Sequence, residues 1–318
     1  MPTTDVDAAS APRGSEGAAV AGMVVATLLW GATFVVVRDS LVEIAPVELV
    51  AARFGVAALL WAVVLGTRRV LSGPAPADAV RAAILGGLAS AAPTAAGYLF
   101  QSIGLNDTSA GSSAFLTCAG ILLAGFLAWP LLGQRPSPLL VGGILLGMAG
   151  SALLGLRGGL RLGVGEAWTL LGALAFALQI VAVARWIGRA DPWLLAAIQT
   201  AGTALLVLPF AGPLPARLAA LDATALVRLA YLAIAGSFVA PLLQVLAQRR
   251  IPPGRIGLLT ALEPVFALLF AVTFGAERFE PRWWLGAGLI LFAVLLVEGR
   301  SSSSSPSAFG SSSRSARS

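Results

Sequence analysis

Ten apolar runs, each about as long as a bilayer's hydrocarbon core is thick, follow one another along this chain. They lie near 18–37, 46–66, 82–104, 110–132, 138–156, 166–184, 193–212, 223–247, 256–275 and 282–298. A helix needs about 20 apolar residues to cross the core. Backbone polar groups with no water nearby must be satisfied within the helix, so such runs can be little else. The connections are short and rich in arginine, proline and glycine. They leave no room for a soluble domain, and the expected fold class is an all-α integral membrane protein of ten transmembrane helices.

Composition agrees. Of 318 residues, 58% are hydrophobic and 11% charged, and the mean hydropathy is +0.88. All 21 basic residues are arginines, and histidine is absent. The commonest metal ligand and near-neutral proton shuttle is therefore missing. The single cysteine, Cys118, excludes an internal disulfide or a cysteine-based metal site, and it reads as a small hydrophobe. A pI near 11 is explained by arginines in membrane loops rather than by nucleic-acid binding. Residues 1–17 read as a polar, disordered cytoplasmic N-terminus without the basic region of a signal peptide. Residues 299–318 read as a serine-rich, disordered cytoplasmic tail.

With the N-terminus inside, thirteen arginines fall in cytoplasmic segments and seven in outer ones, Arg53 lying within the second span. The bias places both ends in the cytoplasm and the chain in a cell (inner or plasma) membrane.

The sequence is also written twice. A shift of 143 residues pairs Gln101 with Gln244, Gly111 with Gly254, Thr117 with Thr260, Arg135 with Arg278 and Gly143 with Gly286. Nearer the start of each half the shift is 146, pairing Pro46 with Pro192 and Arg53 with Gln199. The first repeat covers 18–156 and the second 157–298. Five spans per half is an odd number, so the halves enter the membrane upside down relative to each other. Inverted repeats suit alternating access around a site at their interface.

The residues carrying this pattern resemble those of the drug/metabolite transporter superfamily, in its EamA-type branch with two five-helix repeats. The stretches are "LLWGATFVVVR", "PVELVAARF", "TSAGSSAFLT", "LLGQRPSP" and "LLTALEPVFALLFAVTFGAERFEPRWWLGAGLIL", within about 18–298. One departure is Gln134, which precedes Arg135 where the second half has Glu277 before Arg278. The resemblance implies a ten-helix exporter of small metabolites with both ends cytoplasmic. It does not fix the substrate.

Polar stripes mark the faces that look away from lipid. Ser90, Thr94, Tyr98 and Gln101 share one face of the third span; Ser237, Pro241, Gln244 and Gln248 share one face of the eighth. The fourth span offers Ser113 and Thr117, the ninth Thr260 and Glu263, the first Trp30 and Thr33, and the sixth Phe176 and Gln179. The expected pathway is therefore Trp30, Thr33, Thr94, Tyr98, Gln101, Thr117, Gln179, Ser237, Gln244, Thr260 and Glu263. Spans 1, 3, 4, 6, 8 and 9 line it, and 5 and 10 lie outside. The plainer reading of any one hydroxyl is helix-to-helix glue.

Two charges stand out within spans. Arg53 is about 10 Å along its helix from Pro46, near enough to an interface to snorkel. Glu263 is mid-span, with Pro264 beside it. It is either protonated and tolerated, paired with Arg53 or with freed backbone, or a site for a proton or a substrate ammonium. Its repeat counterpart is Gly120, so symmetry alone does not require it.

No nucleophile–base pair, ATP loop or metal-ligand grouping is visible in the sequence, so neither an enzyme nor a cofactor is expected. The expected function is secondary transport, by alternating access, of a small neutral or zwitterionic metabolite such as an amino acid. Drug or lipophilic-cation efflux and lipid flipping are alternatives, and a non-transporting scaffold ranks last. The expected partners are that solute, the bilayer and, under one reading, protons; nucleic acid is not among them, and oligomeric state is left open.

Overall fold

A computed structural model describes residues 13–155, 163–274 and 280–303. Among them the chain forms ten membrane helices and no strand. They are α1 (Arg13–Ser40), α2 (Pro46–Ser72), α3 (Ala77–Gly104), α4 (Ala110–Leu132), α5 (Pro138–Gly155), α6 (Val164–Ile187), α7 (Pro192–Phe210), α8 (Ala223–Gln248), α9 (Pro253–Phe274) and α10 (Arg282–Ser303). Nine are long and apolar enough to span a membrane; the apolar part of α5, Pro138–Leu154, is somewhat shorter. A short helix, Leu214–Ala219, links α7 to α8.

The helices start where capping chemistry starts them. Asp191 and Asp222 accept the backbone N–H groups of Leu194 and Ala225 at 2.9 and 2.7 Å, and Ser109 accepts that of Ser112 at 3.1 Å. Glu48 reaches back to the N–H of Ala45 at 3.0 Å, and Pro46 and Pro192 stand in the first turns of α2 and α7. Each satisfies, or removes, a donor with no partner inside the helix.

Two helices extend past the apolar runs expected near the ends: α1 begins at Arg13, and α10 runs to Ser303. Ion pairs near the apolar limit favour these extra turns: Glu16 of α1 and Glu298 of α10 both pair with Arg255 of α9. The rest of both tails, the connection 156–162 with Arg157 and Arg161, and residues 275–279 with Glu277 and Arg278 lie outside the described residues.

Three helices are interrupted at mid-depth. α4 loosens at Leu122 and Leu123, and α9 at Ala261 and Leu262, just before Glu263. At the second break, Ala261 and Leu262 donate to carbonyls three residues back, at 3.0 and 3.1 Å, as in a tightened turn. Pro264 explains it: lacking an N–H, it cannot close the regular turn, yet it suits the first turn of the segment that follows. In α8 residues Leu232–Val239 form a π-helical stretch. There the Ser237 hydroxyl donates to the Leu232 carbonyl, five residues back, at 2.9 Å. The repeat-equivalent stretch of α3 contains Pro93, so both halves depart from regular hydrogen bonding at the same place.

Packing separates a central group from a flanking pair. α3 lies against α6 and α7, α1 against α8 and α9, and α4 against α6. α10 packs chiefly on α5. At their crossing a Cβ on Gly286 would stand 2.7 Å from the Gly150 carbonyl oxygen, so only glycine permits the approach.

Candidate functional site

Between the two halves lies a narrow cavity of about 40 Å³. Its polar lining consists of Trp30, Thr33, Thr94, Tyr98, Gln101, Thr117, Gln179, Gln199, Gln244, Thr260 and Glu263; its apolar lining is Ile121, Phe176, Ile180 and Pro241. No residue of α2, α5 or α10 is among them. Many of these residues are repeat equivalents. Shifts of 143 or 146 residues relate Trp30 to Phe176, Thr33 to Gln179, Tyr98 to Pro241, Gln101 to Gln244 and Thr117 to Thr260. The cavity therefore straddles the pseudo-twofold axis of the fold.

Four glutamines from three helices form a chain along one wall. Gln248 donates to the Ile180 carbonyl at 2.8 Å, and Gln244 donates to Gln248 at 3.3 Å and to Gln179 at 3.1 Å. Gln179 in turn donates to Gln199 at 3.2 Å. On the opposite wall Gln101 donates to the Thr117 hydroxyl at 3.0 Å. Thr33, Thr94 and Thr260 donate their own protons to carbonyls of their own helices at 2.7, 2.6 and 2.9 Å. That leaves oxygen lone pairs facing the cavity, so acceptors outnumber donors on its walls.

The aromatic wall is held by the π-helical stretch. The Gly236 carbonyl accepts the indole N–H of Trp30 at 3.1 Å and the hydroxyl of Tyr98 at 3.3 Å. Phe176 meets Tyr98 edge-on, with ring centroids 5.0 Å apart. Behind Tyr98, and outside the cavity, is Arg53. It is buried, donates its Nε–H to the Ser237 hydroxyl at 2.7 Å, and lies 4.7 Å from the centre of the Tyr98 ring. Among the described residues its Nη2 has no hydrogen-bond partner.

Glu263 is 6% exposed. Among the described residues its carboxyl has neither a hydrogen-bond nor an ion-pair partner, and it faces the cavity beside Thr260. The pairing with Arg53 that the sequence left open is not formed. Tyr98 covers the guanidinium face and Ser237 takes its Nε, which holds Arg53 away from the cavity. At the counterpart position Gly120, a Cβ would stand 2.3 Å from the Cβ of Ala173, so α4 has no space there for a side chain.

Of the expected pathway residues, Ser237 alone is not on the cavity surface. Its hydroxyl is engaged between Arg53 and Leu232. Sequence reasoning missed Gln199 of α7, together with Ile121 and Ile180. The pairing of Gln199 with Arg53 in the repeat was the available signal, since a polar position in one half pointed to a polar position in the other.

Compared with known proteins, the chain matches the EamA-like transporter family twice, over residues 17–156 and 163–299. It is 30% identical over 279 residues to an uncharacterized transporter of Archaeoglobus fulgidus, covering 88% of this chain and 85% of that one. It is 30% identical over 214 residues to a chloroplastic WAT1-related protein of Arabidopsis thaliana. That match covers 63% of this chain and about half, 51%, of the relative. One solved crystal structure superposes with a TM-score of 0.67 at 21% identity, covering 88% of this chain and 96% of that one. The last likeness concerns the fold alone.

Proposed function

Because this chain belongs to the EamA-like transporter family, we propose that it is a secondary transporter exporting a small neutral or zwitterionic metabolite, an amino acid or derivative. Its inverted halves expose the central cavity first to one side of the membrane and then to the other. The observation that carries this reading is the unpartnered Glu263 carboxyl, in a cavity whose walls offer mainly acceptors. A carboxylate at this depth costs about 2.5–3.5 kcal/mol to insert. A solute ammonium supplies the charge and the donors that such a site lacks, while the aromatic wall of Trp30, Tyr98 and Phe176 takes an apolar body. The Gln199 NH2 group, and the Gln101 N–H not given to Thr117, remain for a carboxyl or carbonyl at the other end.

A proton on Glu263 serves the same balance when no solute is bound, which makes a proton gradient the natural energy source. The arginine bias supports a cell-membrane location with both termini in the cytoplasm. The same acid and aromatic wall also favour a second reading, efflux of lipophilic cations. The residues account for the chain without catalysis.

The test is metabolite export from cells producing wild type or Glu263→Gln at equal membrane levels, followed by mass spectrometry of the medium at two external pH values. The reading predicts one amine-bearing compound that accumulates with wild type and falls at least tenfold with the variant. Equal export and equal pH dependence would leave the acid without a part in transport.

A further inference from the structure

A second cavity, away from the central one, opens where α2 ends and α3 begins, against the first turns of α7. It has a volume of about 630 Å³. One wall is apolar, built from Leu65, Ile84, Leu194 and Ile198, while Arg68 and Arg69 stand at its mouth. The two arginines differ. Arg68 donates Nη1 to both carboxylate oxygens of Asp191 at 3.0 Å, and its guanidinium lies 5.3 Å from the centre of the Trp193 ring. Its charge is compensated and its position fixed. Arg69 is exposed and, among the described residues, has no ion-pair partner.

The floor is the connection Gly73-Pro74-Ala75-Pro76. Gly73 closes α2 with φ of 73°, and a Cβ built on it meets nothing within 4 Å. The nearby surface adds Arg81, Arg185 and Arg189 against Asp78, all exposed, and the α6–α7 turn touches α3 through the Asp191 N–H on the Ala79 carbonyl. The wall passes along α3 into the exposed Leu85 and Leu88. This groove is thus apolar where the bilayer's chains lie and cationic where its headgroups lie.

We infer that the groove binds an anionic phospholipid, its phosphate on Arg69 and an acyl chain along Leu65, Ile84 and Ile198. The groove's volume of about 630 Å³ lies within the ~300–1,000 Å³ of ligand pockets, and its open side lets a headgroup, glycerol and the upper chain carbons lie along it. Basic pockets between membrane helices near a bilayer face take lipid headgroups through the same pairing of charge and apolar contact. A free phosphate would use the arginine and leave the wall empty.

The experiment uses the purified full chain in micelles carrying phosphatidylglycerol, phosphatidylcholine, or phosphatidylcholine with inorganic phosphate, reading retained lipid by native mass spectrometry and the unfolding midpoint. Wild type should retain phosphatidylglycerol preferentially and unfold at a higher temperature with it. Arg69→Gln should lower that retention about fivefold, the worth of one arginine beside an anionic surface, with its midpoint in phosphatidylcholine unchanged. Arg249→Gln, an exposed arginine outside the groove, should retain lipid as wild type does. The inference is overturned if the two lipids are retained alike, or if Arg249→Gln loses as much as Arg69→Gln. It is also overturned if inorganic phosphate alone gives the same rise.

Discussion

Glu263 and Arg53 are both buried, and the structure treats them in opposite ways. The acid keeps its oxygens toward empty space, while the base is packed in by Tyr98, Ser237 and Gly236. Among the described residues Arg53 has no carboxylate partner and its Nη2 no hydrogen-bond partner, so its burial is incompletely compensated. Methionine fills similar volume without the charge. Arg53→Met is therefore expected to unfold within about 1 kcal/mol of wild type or above it, whereas Arg53→Ala leaves a void and loses stability. Thermal unfolding of the purified variants checks the sign. A large loss in Arg53→Met would show that the guanidinium itself holds Tyr98 and the π-helical stretch in place.

Among the elements, α7 shows how one residue joins capping, helix contact and pH. Asp191 caps α7 through Leu194 and holds Arg68 of α2. Burial alone would raise its pKa, but the hydrogen bonds from Arg68 and Leu194 and the charge of Arg68 outweigh it and hold the carboxyl below its ordinary value. The unfolded value is about 3.9. Because the folded value is depressed, the contribution to stability is present above that pH and is lost as pH falls through the folded value. Asp191→Asn keeps a good cap but gives up the pair. It should unfold earlier than wild type at pH 7 and lose less than wild type between pH 5 and 3, as a melting series would show.

The α5–α10 crossing makes a second prediction at this scale. Gly286→Ala places a methyl group against the Gly150 carbonyl and should cost about 1–3 kcal/mol. Gly288→Ala meets nothing within 4 Å and should be neutral. The elements themselves were legible in the sequence to differing degrees. The stripes on spans 3, 4, 8 and 9 could be read because polar residues recur every three or four positions. The break before Glu263 was signalled by Pro264, but the loosening at Leu122 and Leu123 has no proline or glycine at the break itself. The π-helical stretch depends on contacts from α1, α2 and α3, which a local reading of α8 does not contain. α7 was not read as part of the pathway; in the structure Gln199 reaches the cavity, while its neighbours Thr200 and Thr203 bond back to their own helix at 2.9 and 2.8 Å.

Over the whole molecule, the inverted halves meet in matched pairs. The cavity residues pair across the repeat, and two ion pairs stand at opposite ends of the α2–α7 contact. Arg68 at the end of α2 holds Asp191 at the start of α7, at 3.0 Å; Arg217, beyond the end of α7, holds Glu48 at the start of α2, at 3.4 Å. Under the alternating-access reading, each end opens by releasing its own pair while the other holds, and the glutamines on either wall take turns meeting water. Gln101 and Gln244 are the symmetry-related reporters of that exchange. The most direct test replaces the buried Cys118 with alanine and introduces Gln101→Cys and Gln244→Cys singly, in proteoliposomes treated with a membrane-impermeant thiol reagent. The account predicts that both positions react in the native protein, from opposite sides of the membrane. If neither reacts until the protein is unfolded, the cavity is a sealed packing defect and the transport pathway runs elsewhere.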